Sequence, residues 1–155
     1  GVTGANVSVI DASGVDFAAS NITGTLDATA TTGDITDSDA LAVSGASVFT
    51  LGADGTNITL DSAANAFSGA VTLKAGSSGG QTFGNIVFVD SGAIDFDSAA
   101  SADGDLFLDG GTDNTVGGTL AVTATTGGIT DSATIAVTGN VTLNDVATAG
   151  ITLDT

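Results

Sequence analysis

Four aspartates, Asp103, Asp105, Asp109 and Asp113, fall within one short stretch, DGDLFLDGGTDN. Carboxylates interleaved with flexible glycine offer hard oxygen donors. The ion they suit is calcium, which takes about six to eight oxygens from carboxylates, carbonyls and water. These four are the candidate metal ligands. The stretch has neither the G-G-x-G-x-D repeat of calcium-binding solenoids nor the spacing of an EF-hand loop. The competing reading is a solvated outward face that keeps a strand-rich chain soluble. Asp34, Asp37 and Asp39 form a second cluster, and Asp95 and Asp97 a pair.

Paired carboxylates also perform glycoside hydrolysis, one as acid and one as base or nucleophile. That chemistry lacks its supporting cast here. The chain has no His, no Arg and no aromatic residue beyond Phe to hold a sugar ring, and Lys74 alone cannot neutralise a uronate. SSGG at 77–80 reads as a bend, because no lysine follows it as in a phosphate loop. No catalytic residue is assigned and no enzyme is expected. A polysaccharide-binding or -cleaving β-helix is the weakest reading. No cofactor is required, and calcium is the one that the Asp cluster could admit.

The rest of the alphabet is equally narrow. There are 18 Asp, no Glu and a single Lys, giving a net charge of −17, and Cys, Met, Trp, Tyr and Pro are missing altogether. Nucleic-acid binding needs cations to neutralise phosphates, so DNA, RNA and acidic membrane surfaces are repelled. Disorder goes with low hydrophobicity as well as high charge, whereas this chain is 42 % hydrophobic. No apolar run approaches the length of a membrane span, so membrane insertion is not expected. The opening GVTGANVSV shows no visible signal peptide. The closing GITLDT reads as a strand, and the expectation is a segment of a longer chain or a processed product.

The elements that would carry these residues repeat. GTLDATATTGDITDSDALAVSG (24–45) and GTLAVTATTGGITDSATIAVTG (118–139) share 15 of 22 residues at an offset of 94. The likeness continues from NITLDS (57–62) to GITLDT (150–155), so 24–62 resembles 118–155. NVSVIDASGVDF (6–17) resembles NIVFVDSGAIDF (85–96) at an offset of 79. The second copy therefore carries 94 − 79 = 15 extra residues between Phe96 and Gly118. A globular domain rarely absorbs such a block, but a solenoid takes it as an added or enlarged coil.

Within each copy, short runs such as NVSVID, AVTLKAG, TLAVTA and NVTLND alternate apolar and polar residues at period two, the half-buried strand pattern. Gly, Asn, Asp and Ser separate them. A sandwich has no reason to repeat at a long period. The pattern predicts an all-β chain, a β-helix, formed as one β-solenoid segment over 1–155. At roughly 20 residues per coil it would make about eight coils, each advancing about 4.8 Å. Val141, Leu143, Ile151 and Leu153 are expected to point inward. The seven Phe (Phe17, Phe49, Phe67, Phe83, Phe88, Phe96, Phe107) are expected at wide corners, and Gly is expected to supply positive φ at tight bends. Asn6, Asn57, Asn85 and Asn140 each open a strand, and their amides are expected to bond neighbouring coils.

GTLAVTATTGGITDSATIAVTGNVTL, with ITLD and the earlier DSAANAFSGAVTL, resembles the repeat region of filamentous-haemagglutinin-like and autotransporter-type bacterial surface proteins. The resemblance covers essentially the whole chain. It implies a right-handed parallel β-helix in a secreted protein, extracellular or on the bacterial cell surface. It also implies a structural segment of an adhesin or fibre, a stiff spacer or polymerising rod serving adhesion, biofilm or the cell envelope. The expected partners are the chain itself, by head-to-tail stacking or further repeats, and host or matrix surfaces. A calcium-stabilised surface-layer or matrix module is the alternative.

Overall fold

The computed structural model describes residues 1–75, 82–97, 104–109 and 115–154. In chain order, the strands begin with β1 (Thr3–Gly4), β2 (Val7–Asp11), β3 (Val15–Phe17), β4 (Ser20–Ile22), β5 (Leu26–Ala30), β6 (Ile35–Asp37) and β7 (Leu41–Val43). Next come β8 (Ser47–Leu51), β9 (Ile58–Leu60), β10 (Ala66–Phe67), β11 (Val71–Ala75), β12 (Ile86–Asp90), β13 (Ile94–Phe96) and β14 (Asp105–Asp109). The series closes with β15 (Thr115–Val116), β16 (Leu120–Ala124), β17 (Ile129–Asp131), β18 (Ala136–Val137), β19 (Val141–Asp145) and β20 (Ile151–Leu153). No helix occurs among the described residues.

Every strand pairing is parallel. The strands form an eight-stranded sheet (β2-β5-β8-β11-β14-β13-β17-β20), a six-stranded sheet (β19-β16-β12-β9-β6-β3), a four-stranded sheet (β1-β4-β7-β10) and a two-stranded sheet (β15-β18). Apart from β13 and β14, which pair within one sheet, consecutive strands belong to different sheets and return to the first one layer further on. The chain is therefore an all-β repeat protein of stacked parallel strands, consistent with a β-solenoid.

Period-two alternation decides what each strand buries. In β5 and β16 the first, third and fifth residues are buried and those between are not. Register then stacks the inward residues in columns. Val15, Ile35, Ile58, Ile86 and Leu120 lie one above another in the six-stranded sheet. Ala28, Phe49, Leu73 and Leu108 do so in the eight-stranded one. The second column is not like on like, because a small residue beside Phe49 makes room for the ring.

The aromatic residues differ from expectation. Phe17, Phe49, Phe67 and Phe88 form an interior file, with ring centroids 6.2, 6.0 and 5.3 Å apart, the first two contacts edge-on and the last stacked. The rings cross the interior from sheet to sheet instead of filling corners. Phe107 lies on the outward side of β14, half-buried.

The glycines differ too. Among the described glycines only Gly55, Gly104 and Gly150 have φ in the left-handed region, which Thr148 also adopts. Others are required by close approach. A Cβ on Gly118 would lie 2.3 Å from the Gly84 carbonyl oxygen, and one on Gly139 would lie 2.5 Å from that of Gly118. At this corner backbone stacks directly on backbone.

The two copies do not stack in phase. In the first, the five-residue strands β2, β5 and β8 build the eight-stranded sheet and β3, β6 and β9 the six-stranded one. In the second, the five-residue strands β12, β16 and β19 continue the six-stranded sheet above β9. Their short successors β13, β17 and β20 continue the eight-stranded one. The third side moves with them, from the four-stranded sheet to the two-stranded one, which Phe83 joins through a bridge to Val116. The inserted block supplies β14, which sits between β11 and β13 and so interrupts the sequence order of the stack.

Candidate functional site

Two of the four predicted ligands fall on one strand. Asp103 and Asp113 lie outside the described residues. Asp105 and Asp109 are the two ends of β14, four residues apart. At about 3.3 Å per residue that is ~13 Å, whereas ligands of one calcium ion lie about 2.3–2.6 Å from it. The strand thus places these two on one side but not around one point. Asp109 instead meets Lys74, directly opposite on β11, at 3.4 Å. Asp105 is buried and stands opposite Asp95 on β13. No group of three potential ligands converges among the described residues.

What the aspartates do is join layers. Asp16 on β3 accepts the Thr36 and Ser38 hydroxyls of the next layer, at 3.0 and 2.9 Å. Asp95 on β13 accepts Thr130 and Ser132 at 2.9 and 2.7 Å. The same device therefore occurs in both copies. ITDS, at 35–38 and 129–132, is the signal in the sequence that could have revealed it.

Asp37 and Asp131, the third residues of those motifs, cap the turn above. Asp61 N–H donates to Asp37 Oδ1 at 2.8 Å, and Asp154 N–H donates to Asp131 Oδ1 at 2.6 Å. Asp37 is buried and also receives Ser62 N–H and the Asn65 side-chain amide. Asn65, fully buried, accepts Leu41 N–H at 2.8 Å. Asp90, buried at the end of β12, accepts Phe67 N–H at 2.9 Å. Asn65 escaped sequence analysis because it lies in no repeated motif, and Asp90 because its counterpart in the other copy, Asp11, bonds only within its own turn.

The strand-opening asparagines behave as expected at three positions. Asn6 Oδ1 accepts Thr25 N–H, Asn57 Oδ1 accepts Asn85 N–H, and Asn85 Oδ1 accepts Thr119 N–H. Asn140 opens β19, in the last described layer, and its side chain has no partner among the described residues.

Two carboxyls have a clear electrostatic bias. Asp54 is held below its ordinary value of 3.8 chiefly by the Thr82 backbone N–H, then by the Thr82 hydroxyl, both from the layer above. Asp11 is lowered by the hydroxyl and then the N–H of Ser13 in its own turn.

The ends of the stack differ from its middle. Val141, Leu143, Ile151 and Leu153 continue inward columns, Ile151 directly above Ile129 and Leu143 above Val122. The expectation of their burial is corrected here: Val141 is 53 % exposed, Ile151 43 % and Leu153 51 %, because no described layer covers them. Val141, Leu143 and Leu153 border a cavity of about 310 Å³ that opens at this end. A second hollow, of about 220 Å³, lies beside Phe67 and Asp90. No helix of the described residues is long and apolar enough to cross a membrane.

Stacked parallel strands, interior apolar columns and side-chain bonds between layers define a β-strand repeat protein. A family described as repeats of unknown function (DUF5649) matches the chain over 4–74 and again over 84–155, and the chain belongs to that family. No curated protein and no solved structure matches it.

Proposed function

We propose that the chain is a stiff structural segment of a secreted bacterial surface protein or extracellular fibre, a right-handed parallel β-helix that acts as a spacer in adhesion, biofilm or the cell envelope. The observation that carries this reading is the continuous parallel ladder, with each layer tied to the next by carboxylate and amide side chains as well as by backbone. Such a body resists bending, because tilting one layer breaks several bonds at once. Parallel crossovers are almost always right-handed, which supports the handedness. The resemblance of the repeats to filamentous-haemagglutinin-like sequences supports the location. The acidic exterior keeps the strands soluble and turns away nucleic acids and anionic membranes.

Eight layers at a spacing of about 4.8 Å span ~34 Å. Displayed between a cell-surface anchor and an epitope tag, one copy should move the tag outward by about that distance and two tandem copies by about twice it. Small-angle scattering of the isolated chain should give an elongated particle whose length grows with copy number. A compact particle, or a tag distance indifferent to copy number, overturns the reading.

A further inference from the structure

We propose that Asn21 is an acceptor of N-linked sugar. The proposal goes beyond the reading of the chain as a stiff segment and does not depend on it.

Four asparagines stand two residues before a serine or threonine: Asn6, Asn21, Asn57 and Asn140. N-x-Ser/Thr is the triplet that N-glycosyltransferases read. The fold separates the four. Asn6, Asn57 and Asn140 each stand immediately before a strand, β2, β9 and β19. At that corner Asn6 Oδ1 accepts Thr25 N–H at 3.0 Å. Asn57 Oδ1 accepts Asn85 N–H at 2.7 Å, and its Nδ2 donates to Asp34 Oδ2 at 3.2 Å. Backbone crowds both amides: a Cβ on Gly24 would lie 2.2 Å from Asn6 Oδ1, and one on Gly84 would lie 2.6 Å from Asn57 Oδ1. A sugar on either nitrogen would have to enter the seam between layers.

Asn21 is placed differently. It is the middle residue of β4, exposed between buried Ser20 and Ile22. Its side-chain amide makes no hydrogen bond among the described residues. β4 pairs with β1 on one side and β7 on the other, so this is the exposure of an outward side chain within the stack and not of an uncovered layer. Alternation carries Asn21 and Thr23 to the same outward side, where both are exposed. The Thr23 hydroxyl donates to the Gly4 carbonyl oxygen at 3.3 Å, which leaves its own lone pairs free to accept. The outward column through Asn21 consists otherwise of Thr3, Ala42 and Ala66, so no long or charged side chain stands over the amide. Nor does the strand require an asparagine: at the offset of 94 its counterpart in the second copy is Thr115.

The step is a condensation with a diphosphate-activated sugar held by a transferase. Asn21 Nδ2 bonds to the anomeric carbon, and the bond from that carbon to the phosphate oxygen breaks. The diphosphate leaves with the electron pair, and one amide proton passes to a base of the transferase. The graft is polar and lies on the outer face of the four-stranded sheet, clear of the interlayer bonds.

Digestion on the N-terminal side of aspartate places each of the four asparagines on its own peptide: 1–10, 16–26, 54–60 and 131–144. In the protein recovered from the cells that make it, mass spectrometry should find 16–26 with the added mass of sugar, assigned to Asn21 by fragmentation, and 1–10 and 54–60 unmodified. Asn21→Gln and Thr23→Val should each remove the added mass, and Thr23→Ser should keep it. Far-UV circular dichroism checks that the variants retain their strands. Should any lose them, the wild type decides. Made in a host without the modification, then incubated folded with a soluble transferase specific for this triplet and UDP-glucose, it should take sugar on 16–26 and not on 1–10 or 54–60. The three free peptides should lose that preference. A native 16–26 found only unmodified, sugar on Asn6 or Asn57 of the folded chain, or a folded Thr23→Val variant that keeps the sugar would overturn the proposal. An unmodified chain that is still rod-shaped in scattering would leave the spacer reading standing.

Discussion

Replacing Asn65 by Ala tests whether side-chain bonds between layers hold this protein together. Asn65 is fully buried and ties its own layer to the one below: its Oδ1 accepts Leu41 N–H at 2.8 Å, and its amide donates to Asp37 Oδ2 at 2.5 Å. The first bond contributes about 1 kcal/mol, and the second, to a carboxylate, about 1.5–3 kcal/mol. Truncation also leaves the Leu41 N–H and one Asp37 oxygen short of a partner in a buried place, which costs about 1 kcal/mol or more. The expected loss is ~3–5 kcal/mol, a large part of the roughly 5–15 kcal/mol typical of a whole domain. Urea denaturation followed by circular dichroism measures it, with Asn144→Ala on the exposed side of β19 as control, expected within about 0.5 kcal/mol of wild type. Hydrogen exchange should show the Leu41 amide losing protection before its neighbours. An Asn65→Ala cost no larger than that of the control would refute the argument, and would mean that backbone ladders and apolar stacking suffice.

Burial predicts a contrast within one column: Ile129→Asp, at a fully buried position, should cost at least ~4 kcal/mol, whereas Ile151→Asp, one layer above and 43 % exposed, should cost about half of that or less, as read by the same denaturation. Gly118→Ala forces a Cβ against the Gly84 carbonyl and should lower stability by about 2 kcal/mol or more despite adding only a methyl group; a neutral result would show that the corner can open. Asp54 is depressed below 3.8 when folded, so its contribution is present above that value and is lost as pH falls through the folded one. Asp54→Asn should therefore flatten the acid limb of the stability profile below about pH 4, and because the readout is a difference from wild type, the general relief of charge repulsion cancels. Calcium and a monovalent salt at matched ionic strength should raise Tm alike, by screening; a larger rise with calcium, reversed by chelator, would instead mark a specific site.

Period-two alternation, turn residues at regular intervals and two near-copies at a fixed offset are local properties, and they determine strands, their inward residues and their repetition without reference to the rest of the chain. The lack of Pro and the abundance of Val, Ile and Thr act in the same way on each strand separately. Interlayer bonding by Asn6, Asn57 and Asn85 was legible because the residue recurs at one place in the pattern.

What only the tertiary structure decided is which strand lies on which. Sequence similarity pairs β2 with β12, yet β12 stacks on β9, because the loop at 52–57 and residues 82–85 build a new side between the two large sheets. Register across layers is a non-local property, and the 15-residue insertion shifts it by placing β14 ahead of β13. Asp105 and Asp109 illustrate the same limit. They are close in sequence, but a strand holds side chains about 6.6 Å apart along one face, so extension separated Asp105 from Asp109. Asp37 and Asn65, 28 residues apart, were brought together instead. Likewise Ile129 and Ile151 sit in near-identical sequence contexts and occupy one column, and only the presence of a layer above the first makes one core and the other surface.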